Sequence, residues 1–230
     1  WYGALPALRR LVASAQKTED IRNLMRVLVK AGKSDEACAL HNQYSAETAN
    51  SPEYIEALIR TGQYREAAQV ARALWRTNND MATFHLYLEA LAGYDRKGAI
   101  EACASLPDDR YDADVMRAQI GLLQAAGDTV GALQVSGSLV SLCPEDPAAR
   151  LTECGLLAAA GQVDRALDRY ERLVQDELAG KNDLAMLGRI IRQYREFITG
   201  LLPEKEAEHR FMERVSRDLN VVSLLETAQF

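Results

Sequence analysis

Gly62-Gln63-Tyr64-Arg65-Glu66-Ala67 decides how this chain folds. A helix-like apolar stretch runs into the glycine, and a second begins just beyond it. Glycine supplies a left-handed helix end, the residues after it recap a new helix, and an alanine five positions on lets the two helices approach closely. The same lettering stands at Gly32-Lys33-Ser34-Asp35-Glu36-Ala37, and the same spacing at Gly127 with Ala132 and Gly161 with Ala166. A fifth pair, Gly93 with Ala99, is one residue longer. Successive glycines lie 30, 31, 34 and 34 residues apart, which marks a tandem array of one supersecondary unit. Each such unit buries too little alone, so its apolar face must stack on its neighbours and leave an extended surface free.

The later units show the pattern most fully. Between Ile120 and Pro147, apolar residues at Leu122, Leu123 and Ala126 stop at Gly127-Asp128 and resume at Leu133, Val135, Leu139, Val140 and Leu142, as two short helices joined by a tight turn. Cys143-Pro144-Glu145-Asp146-Pro147 closes the unit, because proline cannot continue a helix but fits the first turn of the next. The following unit repeats this with Leu151, Leu156 and Leu157, the turn Gly161-Gln162, then Ala166, Leu167, Tyr170, Leu173 and Val174. Upstream, residues 4 to 15 form one amphipathic helix, by phase the second helix of a truncated earlier unit. After Gly180-Lys181-Asn182-Asp183, an apolar face from Leu184 to Ile198 ends at Gly200 to Pro203, and a charged last helix is expected from about Glu204 to Leu219. The tail from Val221 to Phe230 can dock or fray.

Composition narrows the function classes. The chain of 230 residues is 48% hydrophobic and 26% charged with only 14 Gly and 6 Pro, as suits a folded helical protein. Its 27 basic and 33 acidic side chains give a net charge of -6, which argues against nucleic acid as the main ligand. No stretch approaches the ~20 apolar residues of a membrane span. The chain begins at Trp1 without the features of a signal peptide, so an excised or processed piece of a longer protein is expected. Cys38, Cys103, Cys143 and Cys154 form no C-x-x-C pair and read as free apolar fillers, which favours reduced thiols and a cytoplasmic setting.

Gly-Gln-Tyr-Arg-Glu-Ala at 62 to 67 resembles the mid-unit turn of a tetratricopeptide repeat (TPR), and Pro144, seventeen residues after Gly127, stands where that family places its unit-ending proline. The resemblance spans about residues 18 to 178. It implies an all-α fold: a right-handed α-solenoid of antiparallel helical hairpins over residues 1–178, followed by capping helices and a tail over 179–230. In the resembled family the first helix of each unit lines a groove that recognises peptides or helices. Carried across by phase, the groove candidates are Arg22, Arg26 and Lys30, then Glu56 and Arg60, then Thr83 and Tyr87, then Arg117 and Gln124.

Arg22, Arg26 and Lys30 are spaced by four and stack along one helix face. Such a row either binds carboxylates on an acidic partner segment, since guanidinium groups pair with them bidentately, or is a solvated face neutralised by Glu19 and Asp20. Tyr87 and Phe84, with Trp75 and Tyr94 near in sequence, concentrate aromatics around the irregular third unit, as interface anchors or as core. His41, His85 and His209 lie too far apart for a ligand pair within a helix, and the acidic pairs Asp108-Asp109 and Glu145-Asp146 read as caps, so no metal or cofactor is expected. No nucleotide-binding or nucleophile motif is present, and Ser136-Gly137-Ser138 falls inside a helical pattern. The expectation is a non-enzymatic scaffold or docking module for a protein or peptide. Its alternatives are a regulatory or positioning arm of a larger enzyme and a sensor of small ligands or peptides. Self-association through exposed terminal units stays open.

Overall fold

The structure, a computed structural model, describes residues 2–15, 17–49, 51–180 and 184–215; the expected break at 181–183, the end of the expected last helix at 216–219 and the tail at 221–230 lie outside them. The secondary structure of the described residues is helical throughout, and the chain divides into two compact units, Trp1–Pro107 and Asp108–Phe230. The first unit holds α1 (Leu5–Ala15), α2 (Thr18–Lys30), α3 (Ser34–Gln43), the single turn α4 (Ser45–Thr48), α5 (Pro52–Arg60), α6 (Tyr64–Asn78), α7 (Met81–Tyr94) and α8 (Arg96–Ala104). The second holds α9 (Ala113–Ala125), α10 (Thr129–Leu142), α11 (Pro147–Ala159), α12 (Val163–Gly180), α13 (Leu184–Leu201) and α14 (Glu204–Val215). Within the first unit α1 packs on α2, α2 on α3, α5 on α6, α6 on α7 and α7 on α8, and within the second each helix from α9 to α13 packs on the next, as the periodicity requires.

Four of the five glycines make the same turn. Gly32, Gly62, Gly127 and Gly161 have φ of 74°, 77°, 77° and 71°, the left-handed region where a Cβ would be strained. In each, the residue after the glycine donates its N–H back to a carbonyl five residues earlier: Lys33 to Leu28 at 2.9 Å, Gln63 to Leu58 at 2.8 Å, Asp128 to Leu123 at 2.9 Å and Gln162 to Leu157 at 2.9 Å. The glycine itself donates to the carbonyl three residues back, so the last carbonyls of the first helix are satisfied and the chain reverses. The alanines that follow, Ala37, Ala67, Ala132 and Ala166, are all fully buried, where the second helix of each hairpin closes on the first.

Gly93 does something else. It lies inside α7 with no left-handed backbone, and a Cβ there would come within 2.3 Å of the Tyr64 ring. Close packing of α6 on α7 therefore requires this glycine, while the turn itself falls at Asp95, whose side chain caps α8 by accepting from the Gly98 N–H at 2.9 Å. The extra residue before Ala99, itself fully buried, is the signature of that change of turn.

Each unit has its own core. Ile21, Met25, Ile55, Leu58 and Phe84 fill the first with under 2% exposure. In the second, α11 to α14 share a cluster in which Leu173, Ile190, Tyr194 and Ile198 are fully buried beside Tyr170 and Phe211. At ~1.5–3 kcal/mol for each large apolar side chain removed from water, these clusters supply the main driving force for stacking. Cys103 and Cys154 are buried free thiols, pushed up to about 11 and about 12 by burial, and so stay protonated and act as fillers.

Candidate functional site

In the first unit the first helices of three successive hairpins stand side by side, α2 against α5 and α5 against α7. Their shared face carries most of the upstream groove candidates. Arg26 on α2 reaches Glu53 on α5, its Nε donating at 2.9 Å. Glu53 is 7% exposed and also accepts from Ser51 Oγ at 2.7 Å. Burial pushes the Glu53 carboxyl up, but the hydrogen bonds from Ser51 and Arg26 outweigh it and hold it below its ordinary range. The counterion of Arg26 thus comes from the next hairpin, not from Glu19 or Asp20. Arg22 is spent on the chain as well, its Nε donating to the Glu47 carbonyl at 3.2 Å.

Beyond Arg26 the face alternates in sign. Glu56 on α5 is half-buried, and burial pushes its carboxyl up, Glu53 and Glu89 adding to the rise against the opposing charges of Arg60 and Lys30. Glu56 therefore stands among charges brought in from α2, its own helix α5 and α7. Thr83 does not reach the surface: it is 2% exposed, and Asp80 accepts from its N–H and its hydroxyl at 2.8 Å each, capping α7. The Asp-x-x-Thr spacing at a helix start was the signal for this. In the second unit, Arg117 bridges Asp114 and Asp146 at 2.7 Å each, joining α9 to the cap of α11, and Gln124 is exposed near the end of α9.

Tyr87 lies on a different side of α7, at a cleft of about 450 Å³ between α6 and α8. The floor is α7, which contributes Phe84, Tyr87, Leu91 and Tyr94. Trp75 from α6 completes an aromatic group, its ring centroid 4.8 Å from Phe84 and 6.3 Å from Tyr87. Arg72 and Arg76 make the α6 wall basic; Asp95 and Glu101 make the α8 wall acidic. No ion pair spans the cleft, and neither Arg72 nor Arg76 has a carboxylate within 4 Å among the described residues. The indole N–H of Trp75 is buried and has no acceptor there. The cleft exists because α8 has only nine residues against the fourteen of α7, and its wall is lined by the small Gly98 and Ala102 with Ser105 just past its end. The two arginines escaped the sequence reading, although a like-charged pair one turn apart on a helix with no acid a turn away on that helix was visible in it.

The corresponding place in the second unit, between α10, α11 and α12, holds only about 30 Å³, room for one water. Counted from the buried alanine of each hairpin, Val140 stands where Trp75 does, Arg169 where Ala102 does and Arg172 where Ser105 does. All three arginines here are paired: Arg150 with Asp176, Arg169 with Glu153 at 3.6 Å, and Arg172 with Asp168 at 2.9 Å.

No family model matches the chain, and no curated protein matches it either. Among solved structures it is similar to the crystal structure of YrrB, described as a TPR protein with an unusual peptide-binding site, at 16% identity over 96% of this chain and 98% of that one, with a TM-score of 0.38. The all-helical hairpin fold follows from the four left-handed glycine turns and the packing of successive helices within each unit. Among the described residues no helix is long and apolar enough to cross a membrane.

Proposed function

We propose that this chain is a protein-interaction module that holds a polypeptide along the side-by-side first helices α2, α5 and α7. The observation that carries this is the side-by-side packing of α2, α5 and α7, which sets Lys30, Glu56, Arg60 and Glu89 on the first helices of three successive hairpins, a row that no single hairpin could present. A solvated helix face has no need to keep Glu56 half-buried among charges of both signs. Such a row discriminates partners by charge register, since a mismatched like charge repels while a matched one steers encounter. Arg26 and Arg22 serve to hold the row in place, with Arg26 tied to Glu53 and Arg22 to the backbone of α4. The partner is a polypeptide with alternating charge, in which the acidic positions face Lys30 and Arg60. The description of YrrB as having a peptide-binding site agrees with this kind of occupant. No catalysis is assigned to these residues.

The test is selection of peptides from a displayed random library, followed by hydrogen exchange on the complex. Selected peptides should protect α2 and α5, and Lys30→Glu combined with Arg60→Glu should weaken them at least about tenfold. Binders that protect neither helix and ignore the double reversal would sink the proposal.

A further inference from the structure

We infer that the cleft between α6 and α8 is a second, separate binding site, and that its occupant is an extended polypeptide segment seating an aromatic side chain beside an acidic one. The floor supplies the aromatic half of this specificity. Tyr87 and Trp75 lie nearly parallel, 13° apart and both partly exposed, and Tyr94 at the rim is 45% exposed with Arg65 over one side of its ring at 5.8 Å, so an incoming ring meets aromatic rather than aliphatic packing. Arg72 and Arg76 supply the acidic half: two guanidinium groups one turn apart, with no carboxylate partner of their own, repel each other slightly until an anion lies between them. The opposite wall fixes direction. Asp95, which caps α8, and Glu101, 3.7 Å from Lys97, still disfavour a second acid on their wall, so the acidic residue falls on the α6 side of the aromatic anchor.

A polypeptide fits better than a free small molecule for two reasons. The cleft is open along its mouth, so it covers one side of an occupant instead of enclosing it as small-molecule pockets do. The indole N–H of Trp75 is buried without an acceptor, so an occupant reaches it only if the ring turns, and a peptide backbone, with a carbonyl at every residue, is the occupant that would satisfy it. The site uses the second helices α6 and α8, and on α7 it uses Tyr87, which points away from the Glu89 side by the helical period, so it does not depend on the charged face of α2, α5 and α7.

The experiment reads the protein's own fluorescence. The chain has two tryptophans, so a Trp1→Phe background leaves Trp75 as the reporter. The probe is a blocked Gly-Glu-Phe-Gly tetrapeptide, with Gly-Lys-Phe-Gly, Gly-Glu-Ala-Gly and free phenylalanine as comparisons. The Glu-Phe peptide should give a saturable change that Arg72→Glu or Arg76→Glu each weaken roughly tenfold, both positions being exposed. Ala102→Arg should abolish the change by giving α8 the residue that α12 has at Arg169; Ser105→Arg is the second occluding variant should the first disturb the fold seen by circular dichroism. Lys30→Glu with Arg60→Glu should leave it intact, which separates this site from the charged face. Equal response to the lysine peptide, or to free phenylalanine, would overturn the assignment, as would binding that survives both occluding variants.

Discussion

Two of the places where a first helix lies between two second helices, α6-α7-α8 and α10-α11-α12, use the same hairpin grammar and end in opposite states. One stands open at about 450 Å³ with two unpaired arginines; the other is filled to about 30 Å³ with three paired ones. The difference comes down to helix length and a few side chains. The second helix α12 runs eighteen residues, long enough to bring Arg169 and Arg172 over α11 and to bury Leu173 in the cluster with α13. The second helix α8 stops after nine, with Ala102 and, one residue past its end, Ser105 at the matching positions. A repeat array can thus close one site and open its counterpart without changing the turns that define the repeat. Local length is the variable that makes function separable from fold here.

The sharpest way to break this comparison is to cut the matched leucines. Leu173 on α12 is fully buried and Leu106, at the equivalent position just past the end of α8, is 8% exposed. Leu173→Ala should cost about 3–4 kcal/mol and Leu106→Ala about 2 kcal/mol in urea unfolding, because the open edge lets its surroundings relax. Equal losses would mean that both regions are packed alike. A smaller effect separates the glycines inside the two first helices. Gly93→Ala should cost about 1–2 kcal/mol, the new methyl meeting Tyr64 at 2.3 Å, whereas at Gly155 on α11 the nearest atom is Tyr170 Oη at 4.0 Å and alanine should stabilise by up to about 1 kcal/mol through helix propensity. Thermal denaturation of the two variants checks the opposite signs.

The smallest effect concerns the ties between first helices, Arg26 with Glu53 in one unit and Arg117 with Asp146 in the other. Both carboxyls are held below their ordinary range, burial working against this and hydrogen bonds from Ser51 and Arg26, or from Arg117 and the start of α11, prevailing. Their stabilisation is therefore complete above the ordinary carboxylate range and is lost as pH falls through the lowered folded-state values. Since the arginines are half-exposed, Arg26→Ala and Arg117→Ala should each remove only about 0.5–1 kcal/mol at neutral pH and flatten the acid limb of the stability curve. An acid limb unchanged by both would show that other groups set it.

Much of the fold could be read before any coordinates. A glycine between two helical periods leaves few options, since only glycine enters the left-handed region freely, and the alanine five residues on must be buried if the hairpin closes; Gly32, Gly62, Gly127 and Gly161 obey this. Gly93 did not, because close approach of a neighbouring ring also selects glycine, and sequence spacing does not distinguish the two causes. Placement of side chains was less legible. Helical phase put Thr83 on an exposed face, but a residue three after a helix-start aspartate is drawn inward by the cap. Phase also showed the row of Arg22, Arg26 and Lys30, yet it could not show that Glu53, twenty-seven residues on, stands opposite Arg26.

By itself, then, the sequence determined the repeat, its turns and the helical class, because these rest on backbone conformations that a few residue types alone allow and on periods counted along one chain. Which charges are spent internally, and which aromatics line an open cleft rather than a core, was decided only by tertiary structure. Both depend on what the neighbouring hairpin brings to within a few ångströms, and for the cleft the deciding fact is an absence: α8 ends before it can cover Trp75 and Tyr87.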